Sequence, residues 1–262
     1  MAAKVKEEAK SETALMTQSD SQAMQELLQE NLGGMTLSPD DLVKVQIPTG
    51  GATTWEIPTG EGDEVDAVRA ITGTVIAQMP MRLAFNGEKQ LVCKSEDAIT
   101  GNPTGESFDG LTPSGNCANC PLNKWGSKGR GKACADKMRL YVMRDDDVLP
   151  ILITLPPTSL AAWRKYVISL ATSTKKSYHA VKTNITLKKI AQDGRDPYSI
   201  VQFGFNAHLD EGESAYLDTF RIDFMGMLKA SIEQSDTPQQ ADWFEQADKA
   251  PKGQIVDDVP TF

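Results

Sequence analysis

The sequence predicts a mainly β protein with helices, an α+β chain forming one domain with a cysteine-bearing insertion and polar ends. Three observations predict it. Short β-type runs broken by Gly and Pro begin near residue 42, amphipathic helical patterns lie within and after them, and all four cysteines fall between 93 and 134. A chain of 262 residues with 40% hydrophobic content can bury one sizeable core.

Residues 1–22 are small, polar and charged, and are expected to be disordered. A short helix is expected over 23–32, closed by Gly33-Gly34. β-type runs follow at 42–47, 53–57, 68–79 and 81–85, the last joined through Asn86-Gly87 to a run at 89–93 as a hairpin. After the turn-rich insertion over 93–134 come strands at 138–144 and 149–155. Pro156-Pro157-Thr158-Ser159 is read as the stop and cap before a helix over 160–171, with Leu160, Trp163, Val167 and Leu170 at helical spacing. Strands at 178–190 and 199–209 precede a last helix over 214–233, with Tyr216, Leu217, Phe220, Phe224 and Leu228 on one face. Three strands or hairpins, a helix and two more strands give the connectivity of an OB-fold, a five-stranded Greek-key barrel that often holds oligonucleotides. The globular domain is expected over 23–235 and a disordered acidic tail over 236–262.

The ligand pattern is Cys93, then Cys117-Ala-Asn-Cys120, then Cys134. A C-x2-C pair in a tight turn sets two thiolates on one tetrahedral ion, and the outer two complete it. No signal peptide or apolar span is visible, so the chain is expected to be cytoplasmic and away from membranes. In that compartment four cysteines favour metal over disulfides. The expected cofactor is one structural zinc, which would pin the insertion to the barrel. An iron–sulfur cluster and four unrelated buried thiols are the alternatives. A closed four-thiolate site leaves no open position for catalysis. His179 and His208 fall in expected strands and are read as packed or surface residues, so no enzyme is expected.

The net charge of -9 hides a division along the chain. Residues 121–189 carry fourteen Lys and Arg against four Asp and Glu, whereas 193–262 carry five against fourteen. A polyanion responds to the local field, so the basic middle matters more than the total. Lys124, Trp125, Lys128, Arg130 and Lys132 combine cations, glycines and an indole between the last two cysteines. Lys137, Arg139, Tyr141, Tyr178, Lys182 and Lys188 interleave the same residue types along neighbouring strands. Cations meet phosphates and aromatic rings stack on unpaired bases, which points to single-stranded nucleic acid. Trp125 has a second reading as a lid on the cysteine turn, Tyr141 and Phe203 have one as core, and Trp163 is read as core outright.

The chain ends Asp257-Asp258-Val259-Pro260-Thr261-Phe262. This tip resembles that of bacterial and phage single-stranded DNA-binding proteins, which end in Asp residues and a terminal Phe. The basic middle with its cysteine insertion is similar to zinc-containing phage members, although those mix His with Cys. The resemblance implies a protein that coats single-stranded DNA during replication, recombination or repair. It also implies that Asp257, Asp258, Val259, Pro260 and Phe262 recruit replication or recombination partners. The alternatives are an iron–sulfur nuclease and a zinc-ribbon factor that grips RNA polymerase.

Overall fold

The computed structural model describes residues 37–59, 64–145 and 147–235, preceded by residues 26, 27, 30, 31 and 33. The expectations for 1–22 and for the tail over 236–262, including its five candidate docking residues, lie outside the described residues. Of the helix expected over 23–32, Glu26, Leu27, Glu30 and Asn31 are helical, and Gly33 follows at φ +57°. Among the described residues no helix is long and apolar enough to cross a membrane.

The protein is mainly β, with ten strands and two long helices among the described residues. In chain order the strands are β1 (Lys44–Val45), β2 (Trp55–Pro58), β3 (Val65–Val68), β4 (Ala70–Phe85), β5 (Leu91–Ser95), β6 (Asn102–Pro103), β7 (Cys134–Met143), β8 (Ile151–Leu155), β9 (Val181–Gln192) and β10 (Arg195–His208). Helix α1 (Pro157–Ser173) lies between β8 and β9, and α2 (Glu211–Ser235) follows β10. The sheet is mixed. Its main path is β1-β8-β7-β4-β5-β6, with β1 parallel to β8, and the β9–β10 hairpin joins through β4. β2 and β3 form a separate two-stranded sheet.

β4 connects these parts. Its first residues, Ala70 to Gly73, pair with β9, Thr74 to Ala84 pair with β7, and Arg82 to Phe85 pair with β5. The expected break at Pro80 is absent, and one strand of 16 residues runs through it. Among the described residues no strand pairs β4 on the side away from β7 between Gly73 and Arg82, so the missing amide of Pro80 is tolerated there. Gly73 lies where β9 hands over to β7. A Cβ at this position would stand 2.5 Å from the Met143 carbonyl oxygen, so the crossing requires glycine.

A register shift between Val75 and Ala77 reverses which face β4 presents. Ile71 and Val75 therefore join one core with Leu140, Val142, Ile153, Val181, Ile185, Val201 and the Trp163 face of α1. Ile76, Ala77 and Met79 join a second core with Tyr141 and the Phe220, Phe224 and Leu228 face of α2. This explains why residues 73–77 are buried in succession rather than on alternate positions. The Trp163 indole N–H donates to Gln78 Oε1 at 2.6 Å, tying α1 to β4, and Trp55 donates to the Ile185 carbonyl at 3.0 Å, tying β2 to β9.

The helix starts differ from expectation. α1 begins with Pro156 at the N-cap and Pro157 in its first turn, with no side-chain cap. Ser159 is fully buried, and its hydroxyl accepts the Val201 amide of β10 at 3.0 Å. α2 carries a reciprocal cap that the sequence reading passed over. The Glu213 amide donates to Asp210 Oδ1 at 2.8 Å, and the Asp210 amide donates to Glu213 Oε2 at 3.0 Å.

Ser159→Ala leaves a buried strand amide without an acceptor and is expected to destabilise the fold by about 1–3 kcal/mol in denaturant unfolding. Thr158→Ala, at an exposed position, is expected to change stability by less than about 0.5 kcal/mol. Equal losses would return Ser159 to a capping role.

Candidate functional site

Ala84 of β4 is registered with Cys93 of β5 on one side and with Cys134 of β7 on the other. Directly opposed residues share a face, so the two thiols flank the smallest chiral side chain across two strand spacings, about 9–10 Å. The turn bearing Cys117 and Cys120 lies over this pair. All four cysteines are buried, and all four line one enclosed cavity of about 10 Å³ with Arg82, Ser95, Ser114, Leu122 and Asn123. Around it, Ala84, Val92, Phe108, Leu122 and Ala133 form a small apolar cluster with Cys93, Cys120 and Cys134.

Among the described residues, no three His, Cys, Asp or Glu side chains stand in ligating geometry. The thiols share a cavity without closing on a common point. Burial pushes the Cys134 thiol up to about 12, and the charges of Cys117 and Cys120 add to the rise. Cys93 is raised by burial and then by Cys120 and Cys117. Such a cavity disfavours bare thiolates and accepts them when a cation sits among them. The four buried thiols are donors of the kind a thiophilic ion takes, although they do not stand in ligating geometry here.

The polar surroundings are as specific as the thiols. Arg82 Nε donates to Asp136 Oδ1 at 2.8 Å, and its guanidinium also reaches the Ala98 carbonyl. Burial works against the Arg82 charge, but hydrogen bonds to Asp136 and Cys117 outweigh it and raise its pKa. Lys132 donates to Asn123 Oδ1 at 3.0 Å and to Asp136, and Asn123 donates to the Cys117 carbonyl at 2.8 Å. Gly101 closes the remaining side. A Cβ there would stand 2.8 Å from the Ser114 carbonyl oxygen, 3.3 Å from Cys93 Sγ and 3.8 Å from Cys117 Sγ.

From Cys120 the chain makes a 3-10 turn (Pro121–Asn123) that buries Leu122, and then a tight loop returns to Ala133. Gly126 and Gly129 take φ of +90° and +58°, and Lys128 and Gly131 form an antiparallel bridge. Inside the loop, Ser127 Oγ lies 2.7 Å from the Lys124 carbonyl oxygen and accepts the Ala133 amide at 2.9 Å. The amides of Lys124, Gly126, Ser127, Lys128 and Gly131 are bonded within this segment, and the loop turns its larger side chains outward. Trp125 is 79% exposed, and Lys124, Lys128 and Arg130 are exposed beside it. Trp125 is therefore no lid on the thiols, a role taken by Leu122 and Phe108.

The other candidates divide. Arg139 is 5% exposed and paired with Glu96, which also holds Lys94, so it fastens the insertion to β7. Tyr141 is fully buried against Phe224, with ring centroids 5.4 Å apart. Lys182 is held between Asp145 and Glu213 at 2.9 and 2.8 Å. Lys132 is engaged with Asp136 and Asn123. These four are engaged within the fold, Tyr141 in the core reading given above, and Arg139, Lys132 and Lys182 in ion pairs. Lys137 is partly buried and its pKa is lowered by burial, and Tyr178 packs on Trp163 at 5.7 Å. Lys188 is exposed, but β9 pairs with the start of β4 and the knuckle hangs from its end. The structure thus brings Lys124, Trp125, Lys128 and Arg130 together and separates them from Lys188. Sequence reading missed Arg82, Asp136 and Gly101, whose roles arise from contacts distant in sequence.

Gly101→Val is expected to displace the Cys93 and Cys117 thiols. Titration of the folded variant with a thiol reagent should then label these cysteines faster than in the parent chain, while α1 and α2 keep their circular dichroism. Unchanged labelling would remove Gly101 from the wall of the site.

No protein-family model, no curated protein and no solved structure matches this chain.

Proposed function

We propose that this protein binds single-stranded DNA without sequence preference, through a basic knuckle stapled to an OB-like barrel by one zinc ion. The observation that carries the reading is Trp125, exposed to 79% among exposed Lys124, Lys128 and Arg130 on an internally braced loop. An apolar ring of this size stays in water at a cost, and a base stacked on it relieves that cost while the cations meet phosphates.

The strand pairing supports the barrel. A long first strand shared by two others, a helix after the third strand and a closing hairpin correspond to β4, β7, β8, α1, β9 and β10. Parallel to β8, where the last barrel strand would close an OB-fold, stands β1 instead. Four thiols on one cavity, two of them in a C-x2-C turn, support a closed four-thiolate site, the pattern of structural zinc. The closing Asp257-Asp258-Val259-Pro260-Thr261-Phe262 supports a second job, recruitment of replication or recombination partners, with the acidic tail competing for the basic surface.

Binding of dT oligonucleotides, followed by anisotropy, is expected to weaken with salt, with a slope of about -0.7 for each phosphate neutralised. Trp125→Ala is expected to lose about 1–3 kcal/mol of that binding, and duplex DNA of the same length should bind more weakly. Normal binding by Trp125→Ala, or equal affinity for duplex, would contradict the reading. Deleting residues 236–262 is expected to tighten binding at low salt, with the gain shrinking as salt screens the tail. An unchanged affinity at every salt concentration would remove the competing role.

A further inference from the structure

A groove of about 490 Å³ runs between α1 and the β9–β10 hairpin. It falls within the range of ~300–1,000 Å³ typical of sites for small-molecule-sized ligands. Lys165 and Tyr166 line one wall, and Asn184, Thr186, Gln202 and Phe203 line the other. Small residues keep it open. Ala162 and Ser169 stand on the helix side, and a Cβ built on Gly204 would meet nothing within 4 Å.

Three features of this groove suit a nucleotide. The first is charge. Between Asp147 and Asp193 the chain has no Asp or Glu and carries seven Lys and Arg, and α1 and β9 are both drawn from this stretch. Lys165 is exposed on the rim. Lys188 is also exposed and shares the strand face of Asn184 and Thr186, two residues beyond the groove. The second is hydrogen-bonding capacity. Gln202 is registered opposite Thr186, and among the described residues neither side chain, nor the Lys165 ammonium, has a hydrogen bond or ion pair. The third is an aromatic wall. Phe203 is half-buried and stacks on Tyr166 at 5.8 Å and 24°, with Trp163 edge-on behind it at 4.9 Å. A rigid aromatic wall, unused amide and hydroxyl groups and a cationic rim are what one base and its phosphate require.

We infer that this groove is a second contact for the same polynucleotide, holding one nucleotide of the single strand. Its base lies against Phe203 with its phosphate beside Lys165, and Thr186, Gln202 and Lys188, on the other face of the hairpin from Phe203, stand at the groove's far edge. The inference rests on the single-strand reading above and extends it to the far end of β4. That strand has 16 residues, and a straight strand of this length spans roughly 50 Å. A strand that engages both ends must therefore be long, and a short oligonucleotide occupies only one of them.

The test uses the full chain with a series of dT oligonucleotides of increasing length, together with photocrosslinking to oligonucleotides carrying 5-iodo-deoxyuridine. Lys165→Ala removes the rim cation, and Gly204→Leu fills the groove without meeting another atom at Cβ. Circular dichroism checks that both fold. Each variant is expected to bind long dT about three- to tenfold more weakly, and Lys165→Ala should reduce the salt slope by about 0.7. In the parent chain, crosslinks are expected at Phe203 or Tyr166 as well as at Trp125. If the parent chain binds and crosslinks at Trp125 alone while both variants bind as tightly as the parent, the groove is overturned and the knuckle reading stands. If the parent chain binds no dT, the single-strand reading falls and the groove falls with it.

Discussion

The structure depends on one strand. β4 supplies a face to each core, the edge that carries β7, and the short segments that carry β9 and β5. Its ends do different things because their neighbours differ. At the start, Gly73 permits a backbone crossing that no side chain would tolerate. At the end, Ala84 leaves room between Cys93 and Cys134. Between them, the shift near Ile76 turns the strand over, so that α1 and α2 pack on opposite sides of it. The two candidate contacts with nucleic acid hang from its opposite ends.

Charge is sorted along the same frame. The insertion is fastened by ion pairs that are partly or wholly buried: Arg82 and Lys132 on Asp136, and Arg139 on Glu96. Cations engaged in this way are fixed in place and already neutralised. Among the described residues, Lys124, Lys128 and Arg130 form no ion pair, and Lys128 lies over the Phe108 ring at 5.7 Å from its centroid. On the proposed reading, a polyanion would meet the second group and not the first. The basic stretch is therefore two populations, one that builds the knuckle and one that the knuckle displays.

Much of this was legible in the sequence. The helix over 160–171 and the strands around it follow from apolar spacing that packing then honours, since Trp163 and Leu170 are buried where the pattern placed them. The Asn86-Gly87 hairpin forms with Asn86 accepting the Glu88 and Gln90 amides, a local signal with a local cause. The cysteine spacing was read as one metal site, and the structure lines one cavity with those four thiols without closing them on a common point. What was illegible is long-range. Pro80 reads as a break unless the unpaired edge of β4 is known. Arg139 reads as a surface cation, and Tyr141 is left between surface and core, because strand alternation alone does not say that α2 and Glu96 cover them. Ser159 reads as a cap because its acceptor role depends on a strand 42 positions later. Arg82 carries no motif at all, since its partners Ala98, Cys117 and Asp136 come together only once the insertion has folded.

The central claim is that one metal ion among four thiols sets the loop that grips DNA. Native mass spectrometry of the purified chain with a dT oligonucleotide tests it most directly. The account predicts a chain carrying one zinc with four thiol protons displaced, in complex with the oligonucleotide, and loss of that complex when a chelator removes the metal. A metal-free chain that holds the oligonucleotide equally well would contradict it.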